Sequence, residues 1–230
     1  MLIEFETENF LSIKEPIKLK MMASTGRKFN QYLPSINKLK IKILPVGCVF
    51  GANASGKTNI FKAITFLRNL VITPRDNTTM LNVITYKLDK KYLDKPTKFR
   101  VQLLADDENI YELTVKLNSA SILEERLDRI NSQGSKTLYI RNEKGIKLPY
   151  FEDKAKHRLM FLQFAAKGTQ KNQLFLSNTV SQNINEFRCV YDWFQKSLKL
   201  ITPDTRFNPL SYSDTMMDDI QKILKELDTM

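Results

Sequence analysis

The chain of 230 residues holds two cysteines, one histidine, one tryptophan and seven glycines. Cys48 and Cys189 stand far apart and outside CxxC spacing, so neither a disulfide framework nor a thiolate-held structural metal is expected. A single His157 leaves no histidine cluster for a zinc site. No run approaches the ~18 to 20 apolar residues that cross a bilayer, and the opening MLIEFETENF is acidic where a secretory leader is basic. The expected location is therefore cytoplasmic, with no membrane partner. Acidic residues are also short: 25 Asp and Glu face 36 Lys and Arg, a net charge of +11. That excess points to a polyanionic partner, either nucleic acid or nucleotide phosphate. With 42% hydrophobic and 27% charged residues the composition is that of an ordinary globular chain, which excludes wholesale disorder.

Period-2 alternation predicts a half-buried strand at Met1–Phe10 and a second at Ile17–Met22. Ala23–Lys42 reads as a polar surface loop with room for a short helix. The apolar run that follows predicts a buried, parallel strand from Val46 to Phe50, with Pro45 at its start. From Lys57, Ile60, Phe61, Ile64, Leu67, Leu70 and Val71 recur at helical spacing until Thr73-Pro74 stops them. Thr97–Leu104, Ile110–Leu117, Ile122–Ile130 and Leu138–Arg141 predict an antiparallel meander. After Pro149 the pattern turns helical, at His157–Ala166, Gln173–Ser181, Ile184–Leu200 and Asp214–Leu227. The expected organisation is an α/β lobe over 1–150 and a helical arm over 151–230. Lys136–Lys171 carries nine basic residues against three acids and Asp214–Met230 two against five, so the two segments should face different surroundings.

Residues 51–58 read GANASGKT, a full match to G-x-x-x-x-G-K-[ST] between a predicted strand and a predicted helix. Gly51 and Gly56 allow backbone geometry closed to residues with a Cβ, so that N–H groups converge on phosphate oxygens at the helix N-terminus. Lys57 supplies a mobile cation for the β- and γ-phosphates, and Thr58 a hydroxyl for Mg2+. The expected cofactors are a purine nucleotide, ATP, and magnesium. Asn59 fits a helix-start residue better than a ligand, although it borders the loop closely enough to count among the cofactor-binding candidates.

The phosphate loop and the hairpin IEFETENFLSI (3–13) together resemble the ABC-type ATPases of the SMC and RecF class, and more closely the AAA-type ATPases of bacterial phage defence and abortive infection, with an OLD-like head. The resemblance continues through LEERL (123–127), LYIRNEKG (138–145), LFLSN (174–178) and the aromatic stretch Tyr191-Asp192-Trp193-Phe194, in family order. It implies a P-loop head with a mixed sheet, an antiparallel β lobe and a C-terminal helical arm. It assigns Asn53, Ala54 and Ser55 to the phosphate loop. It also implies self-association of heads, an effector protein as partner, and hydrolysis with Lys57 as a catalytic group. Arg27 and Lys28 fall where such heads border the adenine, and Gln163, Gln170 and Gln173 near the point where a magnesium-contacting Gln belongs.

Hydrolysis in such a head needs a second acidic motif, and the sequence has no convincing copy. LLADDE (103–108) reads better as a hairpin turn. A signature motif and a switch histidine are also missing, His157 reading as a surface or interface residue, and an N-terminal portion of a longer protein is the simplest expectation. Two alternatives stay open. One is a nucleic-acid-binding module with a relic phosphate loop, in which Lys154, Lys156, Arg158, Lys167 and Lys171 track a backbone and Phe161, Phe164, Phe175, Phe187, Trp193 and Phe194 stack bases. Helical spacing favours core packing for those aromatics, and a solvated face accounts for the basic run. The other is a complete small P-loop NTPase or kinase.

Overall fold

A computed structural model describes residues 1–24, 30–36, 39, 41–75, 78–152 and 156–201. The chain divides into two units, Met1–Leu198 and Lys199–Met230. Every element named below lies in the first. Arg27, Lys28, Lys154 and the stretch Asp214–Leu227 fall outside the described residues.

The hydrophobic alternation of the first half becomes a seven-stranded sheet. Strands β1 (Leu2–Glu8), β2 (Ile17–Lys20), two short pieces β3 (Ser35–Ile36) and β4 (Ile41–Lys42), helices α1 (Lys57–Ile72) and α2 (Lys90–Leu93), and strands β5 (Thr97–Leu104), β6 (Ile110–Leu117), β7 (Ile122–Asn131), β8 (Gly134–Asn142) and β9 (Gly145–Lys147) follow in chain order. The sheet order is β2-β1-β5-β6-β7-β8-β9, and β3 pairs with β4 separately. Phe5, Val101, Leu113, Leu127 and Tyr139 face one another across adjacent strands, in the register Phe5↔Val101↔Leu113↔Leu127↔Tyr139. All five are buried, because alternate side chains of a strand share one face.

Helices cover that apolar face. α1 turns Ala63, Ile64, Leu67, Leu70 and Val71 inward, the i, i+1, i+4, i+7, i+8 stripe of an amphipathic helix. Its Phe66 ring lies 5.5 Å from Phe99 and 5.6 Å from Phe10, which ties the helix to β5 and to the turn after β1. The C-terminal elements α3 (Lys156–Gly168), α4 (Phe175–Ser181) and α5 (Arg188–Asp192) add Leu162, Phe175 and Val190 to the core, and the turns flanking α5 add Phe187, Trp193 and Phe194. The helix expected over Ile184–Leu200 is instead a 3-10 turn at Asn185–Phe187, then α5, then a π turn at Trp193–Ser197. The adjacent rings of Trp193 and Phe194 are both buried. A regular helix sets neighbours 100° apart, and the wider turn brings both inward.

The opposite face of the sheet is polar and self-neutralised. Arg100 donates to Glu4, to Glu6 at 2.9 Å and to Glu112 at 2.9 Å; Lys98 and Lys18 reach Glu6 at 3.1 and 3.2 Å; Arg126 pairs with Asp128 at 2.6 Å. Burial alone would push the Glu6 carboxyl up, but hydrogen bonds from Arg100, Lys98 and Lys18 hold it down at about 2, against an ordinary 4.5. A carboxylate depressed by folding contributes stability that is present above its unfolded value and lost as pH falls through its folded one. Urea unfolding should therefore show stability falling from pH 4.5 towards 2, with a shallower fall in Glu6→Gln. An unchanged slope in that variant would remove Glu6 from the cause.

The α/β class and the antiparallel meander agree with the sequence pattern, but the sheet differs from expectation in one respect. It is antiparallel throughout the described residues rather than mixed, because Val46–Phe50 forms no strand. Val46 is 72% and Phe50 88% exposed, so the run is not buried either. Strand propensity states what a segment can pair with, and pairing also needs a neighbour in register. Here the sheet's strands lie elsewhere, and 46–50 leads into the phosphate loop outside any strand.

Candidate functional site

The residues GANASGKT fold as a tight loop leading into α1. Ser55 N–H donates to the Ala52 carbonyl at 3.2 Å, closing the turn. Ala54 sits at φ 62° and Gly56 at φ 90°. The left-handed region costs a residue with a Cβ roughly 1–2 kcal/mol, so the loop stores strain at Ala54 and avoids it at Gly56. A Cβ on Gly56 would also stand 3.0 Å from Ser12 Oγ, and one on Gly51 2.7 Å from Ser55 Oγ. A side chain at either position would push a serine hydroxyl aside, and at Gly56 it would also be strained by the backbone. Gly56 caps α1 with no side-chain hydrogen bond, which leaves the first N–H groups of the helix for an anion.

Lys57 opens the helix and folds its side chain back over the loop, donating through Nζ to the Gly51 and Ala52 carbonyls at 2.7 Å each. The ammonium is thereby held over the concave side of the loop. Thr58 is exposed in the first turn, a hard oxygen of the kind that fits magnesium with few protein ligands. Asn59 donates through Nδ2 to Ser12 Oγ at 2.6 Å. Gly51, Asn53, Ala54, Ser55, Gly56, Lys57, Thr58 and Asn59 are accordingly brought together at one helix N-terminus.

A cleft of about 410 Å³ lies between this loop and the turn after β1, lined among others by Ser12, Lys14, Glu15, Val49, Phe50 and Lys57. The turn is held from behind. Asn9 is fully buried with φ 53°, a region asparagine tolerates better than most residues. Its Nδ2 donates to the Tyr92 and Lys95 carbonyls at 2.9 and 2.8 Å, and its Oδ1 accepts from Tyr86 N–H at 2.9 Å. Thr97 Oγ1 donates to its carbonyl at 2.7 Å. Lys14 pairs with Asp89 at 3.0 Å, and Tyr92 O–H donates to Glu15 at 2.5 Å. The Asp89 contact pushes the Lys14 ammonium up, and the Lys91 N–H, followed by Lys14, holds the Asp89 carboxyl down. Sequence reasoning missed Asn9 and Ser12 as positioning groups; the signal available was Asn9-Phe10 within the resembling hairpin.

Other expected site residues lie away from the loop. Gln173 lines a cleft with Thr73 and Pro74 at the far end of α1, about 24 Å along the helix from Lys57. Gln170 and Gln173 accept from Arg141 through their carbonyls, and Gln163 is exposed on α3. Gln173 therefore stands at the opposite end of α1 from Thr58. His157 is exposed on α3. Asp106–Asn109 forms the β5–β6 turn, in which Asp107 accepts from Asn109 and Tyr111 at 2.9 and 2.7 Å; Asp107 is used by the turn itself. Among the described residues no helix is long and apolar enough to cross a membrane.

Residues 47–211 match the family described as "AAA domain, putative AbiEii toxin, Type IV TA system". No curated protein matches the chain. The family match spans well over half of the sequence and begins at the unpaired segment that leads into the phosphate loop. The chain belongs to this abortive-infection-like family of AAA P-loop ATPases, and is a nucleotide-binding ATPase domain.

Proposed function

We propose that the chain binds ATP with Mg2+ at residues 51–58 as an ABC-type ATPase head. The observation that carries this reading is the uncapped N-terminus of α1 behind a Gly56 in left-handed geometry, with Lys57 Nζ poised over the loop by two carbonyls. Phosphate oxygens replace those carbonyls as acceptors, giving charge-assisted bonds in place of neutral ones. Backbone N–H groups of Asn53, Ala54 and Gly56 and of Lys57 and Thr58 in the uncapped first turn cradle the phosphates, Ser55 N–H closing the loop on Ala52, and Asn59 stands at the helix start. Magnesium, when bound, neutralises phosphate charge; the Thr58 hydroxyl is the protein oxygen offered to it. ATP draws two heads together, and hydrolysis, once an acidic residue is supplied, resets them. In a phage-defence or DNA-repair setting this cycle governs an effector protein.

The test is a thermal melt with Mg-ATP on wild type and Lys57→Ala. Ligand at about one hundred times Kd adds about 2.7 kcal/mol, or roughly 5–10 °C for a domain of this size. Wild type should show the shift, Lys57→Ala should lose it, and EDTA should shrink it. Size-exclusion chromatography with Mg-ATP should show doubled mass. A wild-type melt unmoved by Mg-ATP sinks the reading.

A further inference from the structure

Helix α3 departs from the sequence expectation in a way that exposes a second surface. Leu162 and Ala165 are buried, and the Ala165 carbonyl accepts from Asn178 Nδ2 at 2.9 Å and from Thr169 Oγ1 at 2.8 Å, which seats the helix against α4. The opposite face carries Met160 at 61%, Phe161 at 57% and Phe164 at 74% exposure. Helical spacing predicted core packing for both phenylalanines, yet with Met160 they take positions i, i+1 and i+4 of the outer side. The other four aromatics of that group, Phe175, Phe187, Trp193 and Phe194, are indeed buried.

Along this helix the charge has one sign. From Lys156 to Lys171 the sequence has no acidic residue, and Arg158, Lys167 and Lys171 are exposed. The polar sheet face, by contrast, has its acids and bases paired with one another. Arg158 and Lys167 on α3 and Lys171 just beyond it thus accompany two flat apolar rings about 4.5 Å apart along the axis.

We propose that this face of α3 binds single-stranded nucleic acid, with Phe161 and Phe164 stacking on bases and Arg158 and Lys167 contacting the phosphates. Stacking on aromatic rings combined with cationic contact to the backbone is the physical basis of sequence-tolerant single-strand binding. A duplex keeps its base faces stacked internally and offers the rings nothing. A protein occupant is disfavoured by size, because three exposed apolar side chains fall far short of the roughly 20–30 residues that each side of a stable interface contributes. The surface is separate from the nucleotide site and acts without it.

Fluorescence anisotropy of an oligo(dT) of about 20 nucleotides, without ATP, reads the proposal directly. Wild type and Lys57→Ala should bind it equally, which separates this surface from the nucleotide reading. Each of Phe161→Ala and Phe164→Ala should weaken binding about tenfold. Phe164→Leu, which keeps apolar volume but no ring, should weaken it nearly as much. Lys167→Gln should lower the slope of log affinity on log salt by about 0.7. These positions are exposed, so melting temperatures should stay at the wild-type value. The proposal is overturned by an absence of saturable binding at about 50 mM salt, by ring variants that bind like wild type, or by equal binding of duplex. It is equally overturned if the ring variants abolish self-association on size-exclusion while oligonucleotide affinity is unmoved, since the face would then serve a second copy of the chain.

Discussion

Replacing Glu125 by alanine should lower the melting temperature by roughly 6–20 °C, among the largest stability effects expected of a single substitution here. Glu125 is fully buried on β7 and accepts from Tyr139 O–H at 2.7 Å and from the N–H groups of Phe175 and Leu176 at 2.7 and 3.0 Å. The Arg141 guanidinium lies 3.7 Å away and also donates to the carbonyls of Gln170 and Gln173. Burial pushes the Glu125 carboxyl up, against the pull of Arg141 and of the two N–H groups. One carboxylate thus caps α4 and joins it to two strands of the sheet. Its removal leaves a buried cation uncompensated and three donors unpaired, which costs roughly 3–5 kcal/mol, at roughly 2–4 °C per kcal/mol for a chain of this length. Glu125→Gln keeps the shape and part of the bonding and should fall between. A Glu125→Ala variant that melts within about 2 °C of wild type would show the network to be dispensable.

Asn9→Ala should be nearly as damaging, and should also blunt nucleotide binding. The substitution strips partners from Tyr86 N–H and from the Tyr92 and Lys95 carbonyls, at roughly 1–3 kcal/mol for a buried group left unsatisfied. It also places alanine at φ 53°, a conformation asparagine reaches more easily. Together these give about 3–5 kcal/mol, read as a shift of the urea midpoint at constant slope. The turn after β1 holds Ser12 against Asn59 and Gly56, so its release loosens one wall of the phosphate-loop cleft. The Mg-ATP melting shift measured well below the midpoint should then shrink without vanishing, because Lys57 and the loop remain. A full wild-type shift in a destabilised Asn9→Ala would disconnect the turn from the site.

The two networks show why some of this chain was legible and some was not. LEERL, LYIRNEKG and LFLSN stand 10 and 28 residues apart as strings and are weak one by one. In space Glu125 of the first meets Tyr139 and Arg141 of the second and the backbone of Phe175 and Leu176 in the third. Their order was visible in the sequence, while their joint purpose, a single buried acceptor shared by strand and helix, appears only when strands pair. The strands themselves were readable because period-2 burial is a local property. Phe161 and Phe164 were misread because helical spacing marks a stripe and not the side to which it turns, and α3 turns Leu162 and Ala165 to the core instead. Val46–Phe50 was misread because an apolar run signals the capacity to be buried and carries no information on whether a neighbour arrives.

By itself the sequence determined what local geometry controls. GANASGKT dictates a phosphate loop because glycine spacing and the following helical stripe act within a dozen residues, and the antiparallel meander follows from alternation and short turns. Tertiary structure alone decided which side of α3 faces water, that Asn9 and Ser12 hold the turn beside the loop through hydrogen bonds spanning 77 and 47 residues, and that Glu125 binds sheet to helix. Those outcomes depend on hydrogen bonds and contacts between distant segments, whose energies exist only once the chain has closed its long loops.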